Sequence, residues 1–204
     1  EVNVIGAGRT DAGVHARAMV ANCYLETELQ PDEIRDYMNR YLPEDIRVID
    51  AKEAPERFHS RLSAVRKTYA YYVETADRKC VFERKYVYGL GRELDIPAME
   101  KAAGYLLGEH DFKSFCATAA VVETTVRTIY ELTVSRQEDI ITIRVTGNGF
   151  LYNMVRIIAG TLLQAGMGII EPEEIKTILA AKERSAAGPT APAQGLTMIG
   201  IEYL

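Results

Sequence analysis

The sequence predicts an α+β protein in which two α/β subdomains carry mainly antiparallel sheets faced by helices. Two observations lead to this fold class. Runs in which apolar and polar residues alternate, as in half-buried strands, are interspersed with runs whose apolar residues recur at helical spacing. Two of the strand-like runs, 127–135 and 140–146, are separated by only four residues, which is typical of an antiparallel hairpin. Helices packed on an antiparallel sheet would bury both kinds of apolar face.

The first part of the chain is predicted to hold short strands and one helix. The strands are expected at residues 2–5, 18–25 and 46–49, the second of them buried. The helix begins at Pro31, since proline is favoured in the first turn and the acids that follow suit the positive end of the helix dipole. Longer strands come after residue 58, so a domain boundary is expected there.

The second part of the chain is predicted to combine longer strands with helices. Strands are expected at 64–73, 86–88, 127–135, 140–146 and 197–203, and helices from Asp95, over 150–165 and over 172–182. Asp95 is placed to cap its helix and Gly108 to stop it. The segment 186–195 is rich in proline, alanine and glycine but too short for a disordered linker, so we expect an ordered loop.

Composition favours a globular protein, and the sequence lacks the common motifs for a metal or a nucleotide cofactor. The 204 residues are 48% hydrophobic and 26% charged, and no apolar run approaches the length of a membrane span. The three histidines lack metal-ligand spacing, and the sequence contains neither a phosphate-binding loop ending in Lys-Ser or Lys-Thr nor GxGxxG. We therefore expect no metal and no nucleotide cofactor. Three widely spaced cysteines indicate reduced thiols in a cytosolic protein.

The distribution of charge is more informative than its sum. A net charge of −5 does not by itself favour a nucleic-acid partner. Basic residues are nevertheless concentrated at Arg57, Arg61, Arg66 and Lys67, and a basic face on an acidic protein is compatible with binding phosphates. A scatter of solvated surface charge is the more common situation and stays open as the alternative.

The segment Gly8-Arg9-Thr10-Asp11-Ala12-Gly13-Val14-His15 is the first candidate for chemistry. Glycines on both sides of Asp11 permit backbone angles that other residues resist, so the loop can present one carboxylate. A tight turn in which Asp11 caps its own backbone is the alternative interpretation.

Arg156 and Tyr69 are candidate partners for that carboxylate. Arg156 lies among apolar residues of a predicted helix, and stranding one partner of a buried ion pair costs about 3–5 kcal/mol. Asp11 is a natural partner, although Arg156 could also reach solvent or pair with another acid. Tyr69 shares a strand face with Lys67 and Tyr71 and can stack on a planar ring, but a half-buried sheet residue is the plainer interpretation. Together, a carboxylate, an arginine and an aromatic ring would suit work on a flipped base.

A family resemblance links these segments. GAGRTDAGVHA resembles the signature of the TruA-type tRNA pseudouridine synthases, with Asp11 at the position of their catalytic aspartate. The similarity continues through RFHSRLSAVRKTYAYYV, HDFKSF, VRTIYEL, GNGFLYNMVRIIAGTLLQAG and APAQGLTMIGIEYL in family order. It implies the pseudouridine synthase fold, with 1–58 as the remainder of an N-terminal α/β domain carrying the catalytic loop and 59–204 as the C-terminal α/β domain. Family members have a strand and helix before the signature, so an N-terminal truncation is expected.

The resemblance also implies a reaction and a partner. The expected activity is isomerisation of uridine to pseudouridine in the anticodon stem-loop of tRNA, at positions 38 to 40 in tRNA numbering, by a cytoplasmic homodimer without a cofactor. Asp11 would act at the nucleoside, Tyr69 would stack on the uracil and assist proton removal from C5, and Arg156 would pair with Asp11. The expected substrate contacts are Arg9, Tyr69, Arg57, Arg61, Arg66 and Lys67.

Two other function classes stay open. A catalytically idle RNA-binding module would use the same basic strand and tyrosines. A hydrolase of the glycosidase type would need a second acid close to Asp11, and the motif supplies none.

Overall fold

Antiparallel strand pairing dominates the structure. The computed structural model describes residues 2–77, 81–118 and 123–204, and within them it holds nine strands and four α-helices. Five of the seven strand pairings found there are antiparallel. The α+β class with mainly antiparallel sheets is therefore confirmed.

The chain divides into two units. The first consists of Glu1–Ala7 and Val20–Ser63, and the second of Gly8–Met19 and Ala64–Leu204. The segment that carries Asp11 therefore folds with the larger, second unit. The domain boundary expected between residues 58 and 59 stays a prediction.

The first unit contains one helix and a short two-stranded sheet. Strand β1 (Ile5–Gly6) pairs antiparallel with β3 (Ala21–Asn22), and helix α1 runs from Pro31 to Tyr41. The predicted start of α1 is confirmed, and the Glu33 carboxylate accepts the Gln30 N–H at 2.8 Å there. This bond satisfies a donor that the helix itself leaves free.

Two strands predicted in this unit are wrong. The segment 18–25 forms a strand only at Ala21–Asn22, and 46–49 forms none. The apolar side chains concerned are exposed: Tyr24, Leu25, Ile46 and Ile49. Alternating apolar residues form a strand only where another strand supplies hydrogen bonds and a core covers one face. Within the described part of this unit, only β1 and β3 supply such pairing.

A seven-stranded sheet forms the centre of the second unit. Its path runs β2 (His15–Ala16), β9 (Leu196–Tyr203), β4 (Ala64–Glu74), β8 (Ile140–Gly147), β7 (Val126–Gln137) and β6 (Gly108–Asp111), and β5 (Tyr88–Gly89) pairs with the end of β4. The predicted hairpin of β7 and β8 is confirmed, with a positive φ of 53° at Glu138 in its tight turn. Strand β6 was not predicted, because its sequence, Gly-Glu-His-Asp, has no apolar alternation.

Helices cover one face of this sheet. Helix α2 runs over Ile96–Gly104, α3 over Met154–Gly166 and α4 over Glu174–Ala181. Side chains of α2 and α3 share one core with alternate residues of the sheet, such as Tyr71 and Ile143. The predicted cap of α2 is confirmed, since Asp95 accepts the Ala98 N–H at 3.0 Å. Among the described residues, no helix has the length and apolar character needed to cross a membrane.

The loop between α4 and β9 packs closely on α3. The prediction that residues 186–195 form an ordered loop is therefore confirmed. The Gly188 N–H donates to the Thr161 hydroxyl at 3.0 Å. A Cβ atom on Gly160 would lie 1.9 Å from the Pro189 carbonyl oxygen, and one on Gly188 would lie 2.8 Å from Thr161 Cα. Glycine at both positions is therefore what lets the loop approach the helix.

Gly160→Ala is expected to lower the free energy of unfolding by about 1–3 kcal/mol, because the new methyl group must displace the Pro189 carbonyl. Gly104→Ala is the matched control, since a Cβ there meets nothing within 4 Å. That control should be neutral or stabilising by up to about 1 kcal/mol. Urea denaturation followed by circular dichroism measures both, and equal midpoints for the two variants would contradict the close packing.

Candidate active site

Asp11 begins a tight turn whose closure does not use its side chain. The Val14 N–H donates to the Asp11 carbonyl at 2.9 Å, and Gly13, the third residue of the turn, has a φ of +83°. A positive φ at that position, with Ala12 before it outside the positive-φ region, is typical of a type II turn and favours glycine. The alternative of an aspartate that caps its own backbone is thus replaced by a backbone-closed turn, which leaves the carboxylate for another partner.

That partner is Arg156 on α3. Arg156 Nη1 lies 3.3 Å from Asp11 Oδ2 and 3.1 Å from Asn153 Oδ1, and Nε donates to the Ala191 carbonyl at 2.7 Å. The arginine side chain is 17% exposed and the aspartate side chain 34% exposed. Arg156 therefore does not extend into solvent. It is held between the Asp11 turn, its own helix and the loop before β9.

Two of these contacts were not found from the sequence. Asn153 precedes Arg156 by three residues, so the two side chains share a helix face, and that spacing was the available signal. Asn153 also has a left-handed backbone (φ 61°), which asparagine tolerates better than most residues. The Ala191 contact is made by a backbone carbonyl, and no side-chain pattern reports such an acceptor.

Tyr69 lies on β4, partly buried beside Phe150. The two rings meet edge to face with centroids 5.3 Å apart. Burial raises the pKa of Tyr69 to about 12, so its hydroxyl keeps its proton at neutral pH. The plainer interpretation, a half-buried sheet residue, therefore describes its surroundings, and it does not exclude contact with a ligand.

The sheet fixes Tyr69 relative to the Asp11 turn. Tyr69 lies opposite Met198 of β9, and Met198 lies opposite Ala16 of β2, the strand that leaves the turn. Tyr69 is therefore two strands from Ala16, a distance of about 10 Å at the usual strand spacing. Strand β9 has an extra residue, Ile199, where its register shifts opposite Thr68 and Tyr69.

The basic candidates lie in different settings. Arg57 and Arg61 are exposed in the first unit, and Arg9 is exposed in the second. Arg66 lies over the Tyr130 ring at 5.0 Å and 3.9 Å from Glu202. Because side chains alternate along β4, Lys67 shares the face of Tyr69 whereas Arg66 points to the opposite face.

Metal-ligating side chains are scattered across the described part of the chain. Within residues 2–77, 81–118 and 123–204, no group of three or more His, Cys, Asp or Glu side chains is placed to hold a metal ion. The chemistry that this geometry supports is that of one partly exposed carboxylate oriented by an arginine.

Comparison with known proteins gives one consistent result. The family described as tRNA pseudouridine synthase matches residues 1–62 and 102–203. The chain is 48% identical over 204 residues to tRNA pseudouridine synthase A of Bacillus subtilis (strain 168), covering 99% of this chain and 82% of that protein. It is 46% identical over 203 residues to tRNA pseudouridine synthase A of Thermoanaerobacter sp. (strain X514), covering 100% of this chain and 83% of that protein.

Arg156→Met is expected to lower the free energy of unfolding by about 1–3 kcal/mol, since it leaves three partly buried acceptors without their donor while Asp11 can still be hydrated. Arg144→Met is the matched control, because Arg144 is exposed on β8, and it should stay within about 0.5 kcal/mol of the parent chain. Chemical denaturation compares the two. If Arg156→Met is as stable as Arg144→Met, the ion pair does not hold the turn.

Proposed function

The chain belongs to the tRNA pseudouridine synthase family, and from this premise we propose that it isomerises uridine to pseudouridine in tRNA. In this reaction uracil leaves C1′ of the ribose, rotates, and rejoins C1′ through its C5 atom. Substrate and product contain the same atoms, so no cofactor and no redox partner is required. The observation that carries the proposal is the pair formed by Asp11, in the signature turn of the family, and Arg156 on α3.

We assign the reacting carboxylate to Asp11. Arg156 binds Oδ2, so Oδ1 is the oxygen that we assign to chemistry. Covalent attack on the sugar or the base, or removal of the 2′ proton, would use that same oxygen. The partial exposure of the side chain allows a nucleotide to reach it.

We assign Tyr69 to stacking on the uracil. Its edge-to-face contact with Phe150 supports the ring from one side, and the sheet fixes its position. With a pKa of about 12, only about one hydroxyl in 10⁵ is ionised at neutral pH. A general base works best when its pKa lies near the working pH. The raised pKa therefore favours stacking over removal of the C5 proton as the role of Tyr69.

The proposal also covers the part of the tRNA that is modified and the residues that contact its phosphates. We infer that the target lies in the anticodon stem-loop, because unpaired loops present bases that can be splayed out. Arg9, Arg57, Arg61, Arg66 and Lys67 are the proposed phosphate contacts. Of the two residues on β4, Lys67 is the better placed for a nucleotide at Tyr69, since it shares that face.

We further propose that the protein acts as a homodimer in the cytoplasm, as the family resemblance implies. The unpaired thiols of Cys23 and Cys116 support a reducing compartment. A sedimentation mass twice that of the 22.7 kDa chain would establish the dimer, and the mass of one chain would exclude it.

The direct test is to incubate the protein with unmodified tRNA and with the isolated anticodon stem-loop, and then to map pseudouridine chemically. Pseudouridine confined to the stem-loop is the expected result. Release of free uracil would point to a hydrolase. Unchanged RNA that is still bound would point to a catalytically idle binding module.

Asp11→Asn should lower turnover by roughly 10³-fold or more, because the amide cannot act as nucleophile or base. Binding of tRNA should stay within about threefold of the parent value, since the shape and the backbone-closed turn are kept. Asp45→Asn, at an exposed acid of the first unit, is the matched control. Lost binding in Asp11→Asn would instead make Asp11 a structural residue.

The pH dependence of single-turnover rates separates the two roles of Tyr69. Below a pKa of about 12, the ionised fraction of its hydroxyl rises tenfold per pH unit. A phenolate base would therefore give a slope of one in log rate between about pH 7 and 9, lost in Tyr69→Phe. Stacking predicts no such slope in either protein. A slope of one that disappears in Tyr69→Phe would refute our assignment.

A further inference from the structure

An exposed turn beside the proposed active site has no role in the function described so far. Residues 81–86, here called the basic turn, read Val-Phe-Glu-Arg-Lys-Tyr. Phe82 is 89% exposed and Tyr86 is 52% exposed, and Arg84 and Lys85 lie between them. Glu83 is the one acid of the six, so the basic turn carries a net positive charge. Exposed aromatic rings interleaved with cations are what proteins use to hold single-stranded nucleic acid.

The basic turn is folded and is attached to the sheet at its C-terminal end. Within it, the Tyr86 N–H donates to the Glu83 carbonyl at 2.7 Å and the Arg84 guanidinium donates to the Val81 carbonyl, and the N–H of the next residue, Val87, also donates to the Glu83 carbonyl at 3.1 Å. After it, Tyr88 pairs with Val73 of β4. Its exposed aromatic residue Phe82 is therefore displayed on a defined backbone.

His15 connects the basic turn to the Asp11 turn. His15 Nε2 lies 2.6 Å from the Lys85 carbonyl oxygen, and the His15 and Tyr86 rings have centroids 4.6 Å apart. Because the Lys85 carbonyl can only accept, Nε2 is the donor in this bond. His15 is also paired with Thr197 of β9, so its position is fixed by the sheet.

The basic turn is anchored close to the proposed reacting carboxylate. The backbone turn brings the Cα atoms of Asp11 and Val14 within about 7 Å, and one further residue adds about 3.8 Å. His15 Cα therefore lies within about 11 Å of Asp11 Cα. The basic turn is therefore within reach of a nucleotide strand whose target base lies at Asp11.

We propose that the basic turn binds the unpaired RNA strand next to the target uridine. Phe82 stacks on one unpaired base, Lys85 and Arg84 contact the phosphates, and His15 is a positioning residue that holds the turn in place. This inference rests on the proposed function, because the bound strand is that of its tRNA substrate. Charge complementarity and continuity with the Asp11 site favour RNA over a protein partner on this surface.

The test measures tRNA binding at several salt concentrations, separately from turnover, for Phe82→Ala, Lys85→Gln and a control, Lys101→Gln on α2. Phe82→Ala should weaken binding by roughly 5- to 150-fold, as expected for the loss of one stacked base. Lys85→Gln should lower the slope of log affinity against log salt by about 0.7, as expected for one phosphate contact to a single strand. Lys101→Gln should leave the affinity and the slope unchanged.

His15 is tested with two variants whose folding is checked by thermal melting. His15→Ala should raise KM and lower the salt slope as Lys85→Gln does, with kcat unchanged. His15→Gln should restore much of the affinity, since its amide can donate to the Lys85 carbonyl. Combining His15→Ala with Lys85→Gln should cost no more than either alone, because both remove one contact.

The contrary outcomes are distinct. Suppose that the parent protein forms pseudouridine but that Phe82→Ala and Lys85→Gln bind tRNA as the parent does. This result would overturn the inference and leave the proposed function intact. A changed sedimentation mass in Phe82→Ala, with unchanged tRNA affinity, would make the turn a contact between copies of the chain. A fall in kcat alone in His15→Ala would show that His15 acts on the Asp11 turn. Failure of the parent protein to modify tRNA would overturn the proposed function. The binding data would still show whether the basic turn contacts RNA.

Discussion

The pair between Asp11 and Arg156 is the interaction on which the site depends. It joins residues 145 positions apart, and neither is fully buried or fully exposed. Arg156 can hold the carboxylate because its own position is determined by α3 and by the Ala191 carbonyl. That carbonyl is in place because the loop before β9 lies directly on the helix at Gly160. The orientation of one carboxylate therefore depends on packing that begins in the core.

In the Asp11 turn, backbone groups close the turn and side chains make the contacts with other parts of the protein. The Val14 N–H and the Asp11 carbonyl close the turn, so the carboxylate is not consumed in maintaining the conformation. Glycine at position 13 makes that closure possible at little steric cost. On the far side of the turn, β2 ties the chain to β9 and His15 reaches the basic turn. The proposed chemistry, the closure of the backbone turn and the proposed RNA contact thus involve adjacent residues but different atoms.

The sequence predicted the features that produce a local pattern. Helix α3, the hairpin of β7 and β8, and strand β4 each combine strong periodicity with burial, and the apolar surroundings of Arg156 indicated its need for an acid. The strands predicted at 18–25 and 46–49 were wrong, because whether a segment finds a neighbouring strand to pair with depends on the tertiary structure. Strand β6 exists only through its pairing with β7, and its sequence alone gives no sign of it. The Ala191 carbonyl could not be predicted as an acceptor, since every residue has a backbone carbonyl and the sequence does not distinguish this one.

The extra residue in β9 has a consequence for the shape of the sheet. On one side of Ile199, Gly200 lies opposite Thr68, and on the other side Met198 lies opposite Tyr69. An extra residue of this kind bends its strand and increases the local twist. Met198 is buried and is also paired with Ala16 of β2, the strand that leaves the Asp11 turn. The bulge at Ile199 therefore sets the angle at which β2 and the Asp11 turn meet the strand of Tyr69, and removing Ile199 would straighten β9 at this point while the same residues stay paired on either side.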